Sequence, residues 1–373
     1  MNKPNSSLED IQEAWRSCVA KALQTSELDG RASSNHAVEW GQVWNELSYQ
    51  PNAYQRQMVD YQHEYHRGAG WVLLDASLTL HHDRKPIGVW LLTLGCYEGK
   101  TTLSSAGAAL LPPLLLPGLA NKTVKSIGTK ALAFIRSICS TLQIPMPLME
   151  WPVTPAAPNT GLSEWQQQLL RSGALPSIRY ELYVDLQPEM AQIRNGFRKS
   201  YKPLISKGLE LFSLEVLDKE RINRALWSEF KNLHFEVAGR RTRVDSSWDR
   251  QYEMIPNGTA FLVTVRDRGT SRLVGAGFFQ CTRDEGLYSV AAYDRNLFDK
   301  PIGHAVQQVA IERMKSLGLK WYRIGERRYT QQVPPPSAKE ISIGEFKHGF
   351  ASHEFVRFEY RWTPESNSLR SID

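Results

Sequence analysis

The stretch from residue 286 to 325 has the residue types and spacing that suit anion binding. Residues 287–293 (Leu-Tyr-Ser-Val-Ala-Ala-Tyr) read as a strand and residues 294–300 as a polar loop. Pro301-Ile302-Gly303-His304-Ala305 then opens an amphipathic helix with apolar positions Ala305, Val306, Val309, Ala310, Ile311 and Met314, closed by Gly318. The first N–H groups of a helix have no partner inside it, and the macrodipole adds positive potential there, so this turn suits a phosphate. Gly303 leaves the backbone open to close approach. Glu326 stands just beyond a short strand at 321–324, and strand ends of open α/β sheets are where ligands bind. It is the first candidate for a general base, and His304 is the second.

Two basic groups stand nearby in the sequence. Arg194, Arg198 and Lys202 recur at i, i+4 and i+8 in a helix-like run over 188–202, with Lys199 and Lys207 beside them. Such a row grips a nucleotide-sugar diphosphate or an RNA backbone, or is an ordinary solvated face. His234, Glu236, Arg240, Arg241 and Arg243 cluster at the end of another helical run. His234 and Glu236 are candidate proton acceptors, and Arg240, Arg241 and Arg243 there either bind an anionic acceptor or complement the helix C-terminus.

The elements that must position these residues form an α/β pattern. Ile11, Trp15, Val19 and Leu23 make an i, i+4 stripe, so residues 8–23 are predicted helical within a polar lead-in over 1–36. Strands are predicted over 71–74, 77–81 and 87–94, and helices over 54–65 and 123–142. A Pro/Gly-rich break at 151–161 places a linker between there and about residue 175, giving domains at 37–165 and 176–373. The second domain reads as strand 180–186, the basic helix 188–202, strand 209–216 and helix 219–238. Strands 259–267, 272–281 and 286–293 follow, then helix 303–317, strand 321–324 and a mixed segment over 341–362.

Composition bounds the function. The chain has 373 residues, 42% hydrophobic and 23% charged, enough to build a core and too apolar for general disorder. Its net charge of +6 is uneven: residues 1–179 hold 15 basic and 14 acidic side chains, residues 180–373 hold 30 and 25. The excess in the second half suits an anionic partner or is plain solvated surface. Cys18, Cys96, Cys139 and Cys281 are scattered, which argues against a disulfide scaffold or zinc ribbon and for a reducing, cytoplasmic compartment. The apolar run 106–120 is too short for a spanning helix and is broken by Pro112, Pro113 and Pro117; association with the inner face of a membrane stays open. Glu98-Gly99-Lys100-Thr101-Thr102 imitates the end of a P-loop, but the required first glycine is Leu94. His63 and His66, and the pair His81-His82, lack a third ligand at metal-site spacing, so no metal is expected.

With these residues in hand, the sequence resembles the FemAB-like branch of the GNAT N-acyltransferase superfamily. That superfamily's pyrophosphate loop, Arg/Gln-x-x-Gly-x-Gly/Ala between a strand and a helix, is matched by Lys300-x-x-Gly303-x-Ala305, with Lys for Arg or Gln. Residues 193–209 look like the branch's basic helix before a strand, and Ile343-Gly344-Glu345-Phe346-Lys347-His348-Gly349-Phe350 looks like its C-terminal Phe-Lys-x-x-Phe signature. The resemblance covers about residues 180–360 well and is general over 40–160.

The resemblance implies two tandem GNAT-like domains, each a mixed, mostly antiparallel sheet flanked by helices. It implies an amine attacking an acyl group held as a CoA thioester or as an aminoacyl-tRNA ester. Lys300, Gly303, His304 and Ala305 would hold the donor, Phe346 would shape the site, and Lys347 would stabilise the negative oxygen. The modest basic excess and the lack of a heptad arm favour acyl-CoA, acetyl-CoA first, over tRNA. The acceptor would be an amine of a sugar or cell-envelope precursor, small or linked to lipid or nucleotide. A non-catalytic protein binding an anionic glycan or nucleic acid is the rival. The two differ at one place: an enzyme needs strand 286–293 splayed from its neighbour with Gly303 facing the gap, whereas a binding protein would fill that gap with Trp321 or Tyr293.

Overall fold

The computed structural model describes residues 8–151, 155 and 161–363. The chain forms two compact units: one of Met1–Ser48, His66–Ile178 and Arg357–Asp373, the other of Tyr49–Tyr65 and Arg179–Val356. This division is not linear along the chain, unlike the boundaries expected from the sequence. The lead-in is part of the first unit: helix Leu8–Ser26 buries Trp15, Cys18 and Ala22 in its core. The expected linker holds helix Glu164–Arg171 instead, started by a capping box between Ser163 and Gln166. Most of the Pro/Gly break before it, residues 152–154 and 156–160, lies outside the described residues.

The first unit has two antiparallel sheets. Gly30–Ala32, Leu78–His82, Lys85–Trp90 and Leu114–Leu115 form one, and Val72–Asp75, Thr93–Tyr97 and Lys100–Ser104 the other. The single strand expected over 87–94 therefore divides at Leu91-Leu92, both fully buried, where the chain passes from one sheet to the other. The false P-loop is a hairpin turn, with Glu98 and Gly99 both at positive φ (49° and 74°). Helix Asn121–Leu142 places Phe134 against Trp90 at 5.6 Å between ring centres.

The second unit carries strands in the order Phe212–Leu217, Ala260–Asp267, Leu273–Cys281, Glu285–Tyr293 and Trp321–Arg327, then residues 179–185 of strand Leu175–Asp185 and residues 353–356 of strand His353–Arg361. Phe212 to Tyr293 pair antiparallel. Glu285–Tyr293 and Trp321–Arg327 pair parallel, because helix Ile302–Ser316 carries the chain back across the sheet. Side chains alternate between two cores: Phe261, Val263 and Phe279 join helix Ile302–Ser316 in one, and Leu262, Ala276 and Phe278 join Trp227, Phe230 and Trp248 in the other. No described helix is long and apolar enough to cross a membrane.

The expected basic helix over 188–202 is two helices, Met190–Gly196 and Tyr201–Leu211, broken where Phe197 turns extended (φ −64°, ψ 150°) and buries its ring. Arg194, Arg198 and Lys202 therefore do not share one helix face. Helix Arg224–Ala238 starts five residues later than expected, where the Asn223 side chain accepts the Leu226 N–H at 3.0 Å. Helix Asp245–Met254 was not anticipated; its polar sequence hides the periodicity, and Trp248 and Met254 anchor it.

Helix Tyr201–Leu211 lies against helix Ile302–Ser316 at Gly208, where an added Cβ would meet the Pro301 carbonyl oxygen and the Ala305 Cβ, each at 2.9 Å. The neighbour on one side is backbone, so it cannot rotate away. Gly208→Ala is expected to destabilise the protein by about 1–3 kcal/mol through overpacking, seen as a lower urea midpoint with unchanged slope. An unchanged midpoint would contradict this packing.

Candidate active site

The parallel strands Glu285–Tyr293 and Trp321–Arg327 pair only at Glu285/Trp321, Gly286/Tyr322 and Leu287/Arg323. Two register shifts explain why pairing stops there. On its outer edge the first strand meets Leu273–Cys281 with Phe279 opposite Tyr288 and Phe278 opposite Val290, so Ser289 is an extra, bulged residue. On its outer edge the second strand meets Leu175–Asp185 with Arg323 opposite Tyr183 and Gly325 opposite Leu182, so Ile324 is extra. A bulge bends its strand and leaves backbone groups unpaired. The two strands thus bend apart within two residues of their last shared pair.

The closed end is pinned by buried polar groups. The Tyr49 hydroxyl donates to the Glu285 carboxylate at 2.5 Å, and the Asn52 amide donates to the Glu285 carbonyl at 2.9 Å. Lys320 pairs with Asp284 at 2.7 Å, and Arg323 pairs with Glu181. Burial pushes the Glu285 carboxyl upward, and Arg323 opposes that shift.

Beyond the last shared pair, the bulged strand lines a cleft of about 590 Å³, a size typical of small-molecule sites. Tyr288, Ser289, Val290, Ala291 and Tyr293 of the bulged strand line it, with Lys300, Gly303 and His304 at the helix start and Phe346 and Lys347 on helix Ala338–His348. Its walls belong to both cores: Tyr288 and Phe346 pack in one, Val237 and Val290 in the other. Trp321 does not line it. Tyr293 lines it without closing it, its hydroxyl held to that of Tyr288 at 3.0 Å.

The helix start is built as expected. No side chain caps helix Ile302–Ser316, so the Gly303 and His304 N–H groups lack intrahelical acceptors. Lys300 sits beside them, paired to Asp299 at 2.8 Å and 41% exposed at its side chain. A Cβ on Gly303 would stand 3.2 Å from the Phe346 ring. Ala305 differs from expectation: it is fully buried against Gly208, so its side chain serves packing rather than ligand.

Lys347 reaches the cleft over Gly325, where an added Cβ would lie 2.3 Å from Nζ, and Gly325 itself takes φ +143°. The ammonium stands 5.7 Å from the Tyr288 ring centre. Burial holds the Lys347 amine below its ordinary pKa; Glu326 pulls it up and Arg323 pushes it down. Glu326 does not line the cleft; it pairs with Arg328 at 2.7 Å, and its charge favours the Lys347 ammonium.

His304 does line the cleft. Its ring packs on Tyr201 (4.5 Å), Phe346 (5.1 Å) and Phe350 (6.0 Å), and burial pushes its pKa down to about 4. It is therefore a neutral imidazole at physiological pH and a weak base.

None of the basic side chains expected to bind substrate lines the cleft. Arg198 pairs with Glu345 at 3.3 Å, Arg194 reaches Ser206 at 3.4 Å, and Lys202 reaches Asn195 at 3.2 Å. Arg243 stacks on Trp248 at 3.6 Å and hydrogen-bonds the Tyr61 hydroxyl, while Arg240 is exposed; neither lines the cleft. Among the described residues, no three His, Cys, Asp or Glu side chains converge as a metal site.

Sequence reading missed Lys339 and Ile343, which line the cleft with Phe346 and Lys347. Their spacing of i, i+4, i+7 and i+8 is one helix face. The capping box of Ser337 with Glu340 marks where that helix begins, so both signals were present in the sequence. The Ser289 bulge had no such signal.

No known protein family matches the sequence, and no curated protein does. Solved structures do. FemX superposes with a TM-score of 0.61 at 11% identity, over 86% of this chain and 94% of FemX. A conserved protein of unknown function from Bacteroides thetaiotaomicron gives 0.51 at 7% identity, over 90% and 100%. A tandem GNAT protein from the clavulanic acid biosynthesis pathway gives 0.49 at 13% identity, over 89% and 97%.

The half-buried His304 gives a pH signature. Its folded pKa of about 4 lies below the ≈ 6.5 of an unfolded chain, so the unfolded state takes the proton first as pH falls. Stability is complete above about pH 6.5 and is lost on descent toward pH 4. The wild type is expected to lose more stability over that range than His304→Phe, measured by urea unfolding at several pH values; parallel profiles would contradict a half-buried neutral imidazole.

Proposed function

We propose that this chain, which has the FemAB-like GNAT fold, is an N-acyltransferase moving an acyl group from a CoA thioester to an amine of a sugar or cell-envelope precursor. The observation that carries the reading is the parting of Glu285–Tyr293 from Trp321–Arg327, with the uncapped helix start at one side of the gap and Lys347 at the other. Because the cleft walls come from both faces of the sheet, donor and acceptor can enter from opposite sides and meet in line.

In this reading the donor phosphates sit on the Gly303 and His304 N–H groups beside Lys300. The thioester arm lies along the free edge of the bulged strand. The acceptor amine attacks the thioester carbonyl, the carbon–sulfur bond breaks, and the nitrogen proton leaves with the departing sulfur. Charge developing on the carbonyl oxygen meets the Lys347 ammonium in a partly dry site, where a fixed cation counts for more than in water. Phe346 and the neutral His304 ring shape the wall against the donor and add no charge to compete with Lys347. The exposed Phe298 (70%) and Ile343 (43%) border the same cleft and give the uncharged part of a donor apolar surface to cover.

A thermal-shift titration tests the reading. Acetyl-CoA or free CoA at about 100 times its dissociation constant is expected to stabilise the wild type by about 2.7 kcal/mol, a rise of several degrees. Gly303→Glu should lose the shift, by charge repulsion and collision with Phe346. Lys347→Met should keep the shift and lose about 10²–10³-fold in CoA release with an amine acceptor. No shift at millimolar CoA would overturn the CoA donor; tRNA binding assayed at two salt concentrations would then separate an aminoacyl-tRNA donor from a non-catalytic role.

A further inference from the structure

The cation of the cleft has no partner of its own. Lys347 is half-buried, yet among the described residues it makes no hydrogen bond and no ion pair. Its Nζ is not one of the polar atoms sealed from solvent, and its side chain lines the cleft, so the amine is open to whatever occupies that space. None of the lining residues is acidic. Glu326, whose charge favours the ammonium, stands outside the cleft and is shared with Arg328 at 2.7 Å, while Arg323 acts against it. Tyr288 offers Nζ the face of its ring, 5.7 Å away. An ammonium held this loosely and half out of water gives up its proton more readily than a solvated one.

The other two lysines of the cleft are different. Lys339 is exposed, and Lys300 is exposed and paired with Asp299 at 2.8 Å. Water solvates both, and a carboxylate holds the charge of one. They share the cleft with Lys347 and lack its half-dry setting, which makes them internal standards for its reactivity.

A lysine placed to steady the carbonyl oxygen of a thioester is also placed to attack its carbon. A charge-assisted hydrogen bond puts nitrogen about 2.7–2.9 Å from the oxygen. The carbon lies one bond further on, about 1.2 Å. Attack needs the reacting atoms about 3–3.5 Å apart, and a small rotation of the flexible lysine stem covers the difference. The two roles are then separated by one proton on Nζ. Resting on the reading of this cleft as a CoA-thioester site, we propose that Lys347 is itself an acylation site, taking the acyl group of a bound donor when no acceptor amine is present. The neutral Nζ attacks the thioester carbonyl carbon, a carbon–nitrogen bond forms and the carbon–sulfur bond breaks. The nitrogen proton passes to the departing sulfur, which leaves as free CoA thiol. The acyl-lysine that remains is a neutral amide, so the cation that met the developing oxyanion is gone and the site is switched off.

The test incubates the full chain with acetyl-CoA and no acceptor, in the wild type, Glu326→Gln, Gly303→Glu and Lys347→Arg. Acetylation is mapped by peptide mass spectrometry and set against thiol release, and melting temperatures show that the variants fold. The wild type is expected to gain one acetyl group at Lys347, about tenfold or more faster than at Lys300 or Lys339, with one thiol released for each. Glu326→Gln removes the charge that favours the ammonium and is expected to react severalfold faster. Gly303→Glu should lose the reaction with the donor, and Lys347→Arg should gain no group at that position, since a guanidinium keeps its proton. Equal labelling of the three lysines, or labelling of Lys347 undiminished in Gly303→Glu, would overturn the proposal, because the acyl group would then come from solution. Lys347 left unmodified in a wild type whose melting temperature CoA raises would overturn self-acylation alone. Lys347 left unmodified with no CoA shift would overturn it together with the CoA reading.

Discussion

The strands Glu285–Tyr293 and Trp321–Arg327 share three residue pairs and then separate, and the rest of the cleft depends on that separation. Two parallel strands in mid-sheet would normally satisfy each other's backbone along their length. Here each strand has an antiparallel partner on its other edge, and each carries one extra residue against that partner. The outer pairings hold the strands while the bulges turn them apart. The cost of unpaired backbone is confined to one open edge, where water or a ligand can meet it. At the closed end the opposite holds: Glu285, Asp284 and Glu181 are buried but each meets a hydroxyl, amide or cation.

The charge in the cleft is set by the same geometry. Lys347 can lie over the second strand only because position 325 has no side chain and takes a positive φ that other residues avoid. Its burial disfavours the ammonium, and Glu326, itself neutralised by Arg328, offsets that from outside the cleft. Arg327 bonds both Glu345 at 2.9 Å and Glu354 at 3.0 Å, tying helix Ala338–His348 to the strand beneath it. The aromatic group of Tyr201, His304, Phe346 and Phe350 joins that helix to the start of helix Ile302–Ser316. The uncapped helix start and the Lys347 ammonium are thereby fixed relative to one another by packing, as the proposed donor site requires.

Much of this was legible in the sequence because it rests on local periodicity. The strand–loop–helix unit around Gly303 is carried by alternation and helical spacing, the Phe346-Lys347 pair is carried by the family resemblance, and both border the cleft. The row Arg194, Arg198 and Lys202 shows where periodicity misleads: Phe197 prefers the core to the helix, and the row is cut in two. Glu326 misled for another reason. A strand end in an open sheet was a sound place to look, but the strand continues to Arg327 and an arginine two residues on takes the carboxylate. The bulges were out of reach, since an extra residue is defined by its partner strand and not by its own sequence.

The central claim is that the donor occupies the gap between the parted strands with its phosphates on the uncapped helix start. Amide hydrogen exchange with and without acetyl-CoA tests this most directly. Protection is predicted at Ser289–Ala291 and at Gly303 and His304, with strands Ala260–Asp267 and Leu273–Cys281 unchanged. Protection at other segments alone, or bound donor with no change at Gly303 and His304, would contradict it.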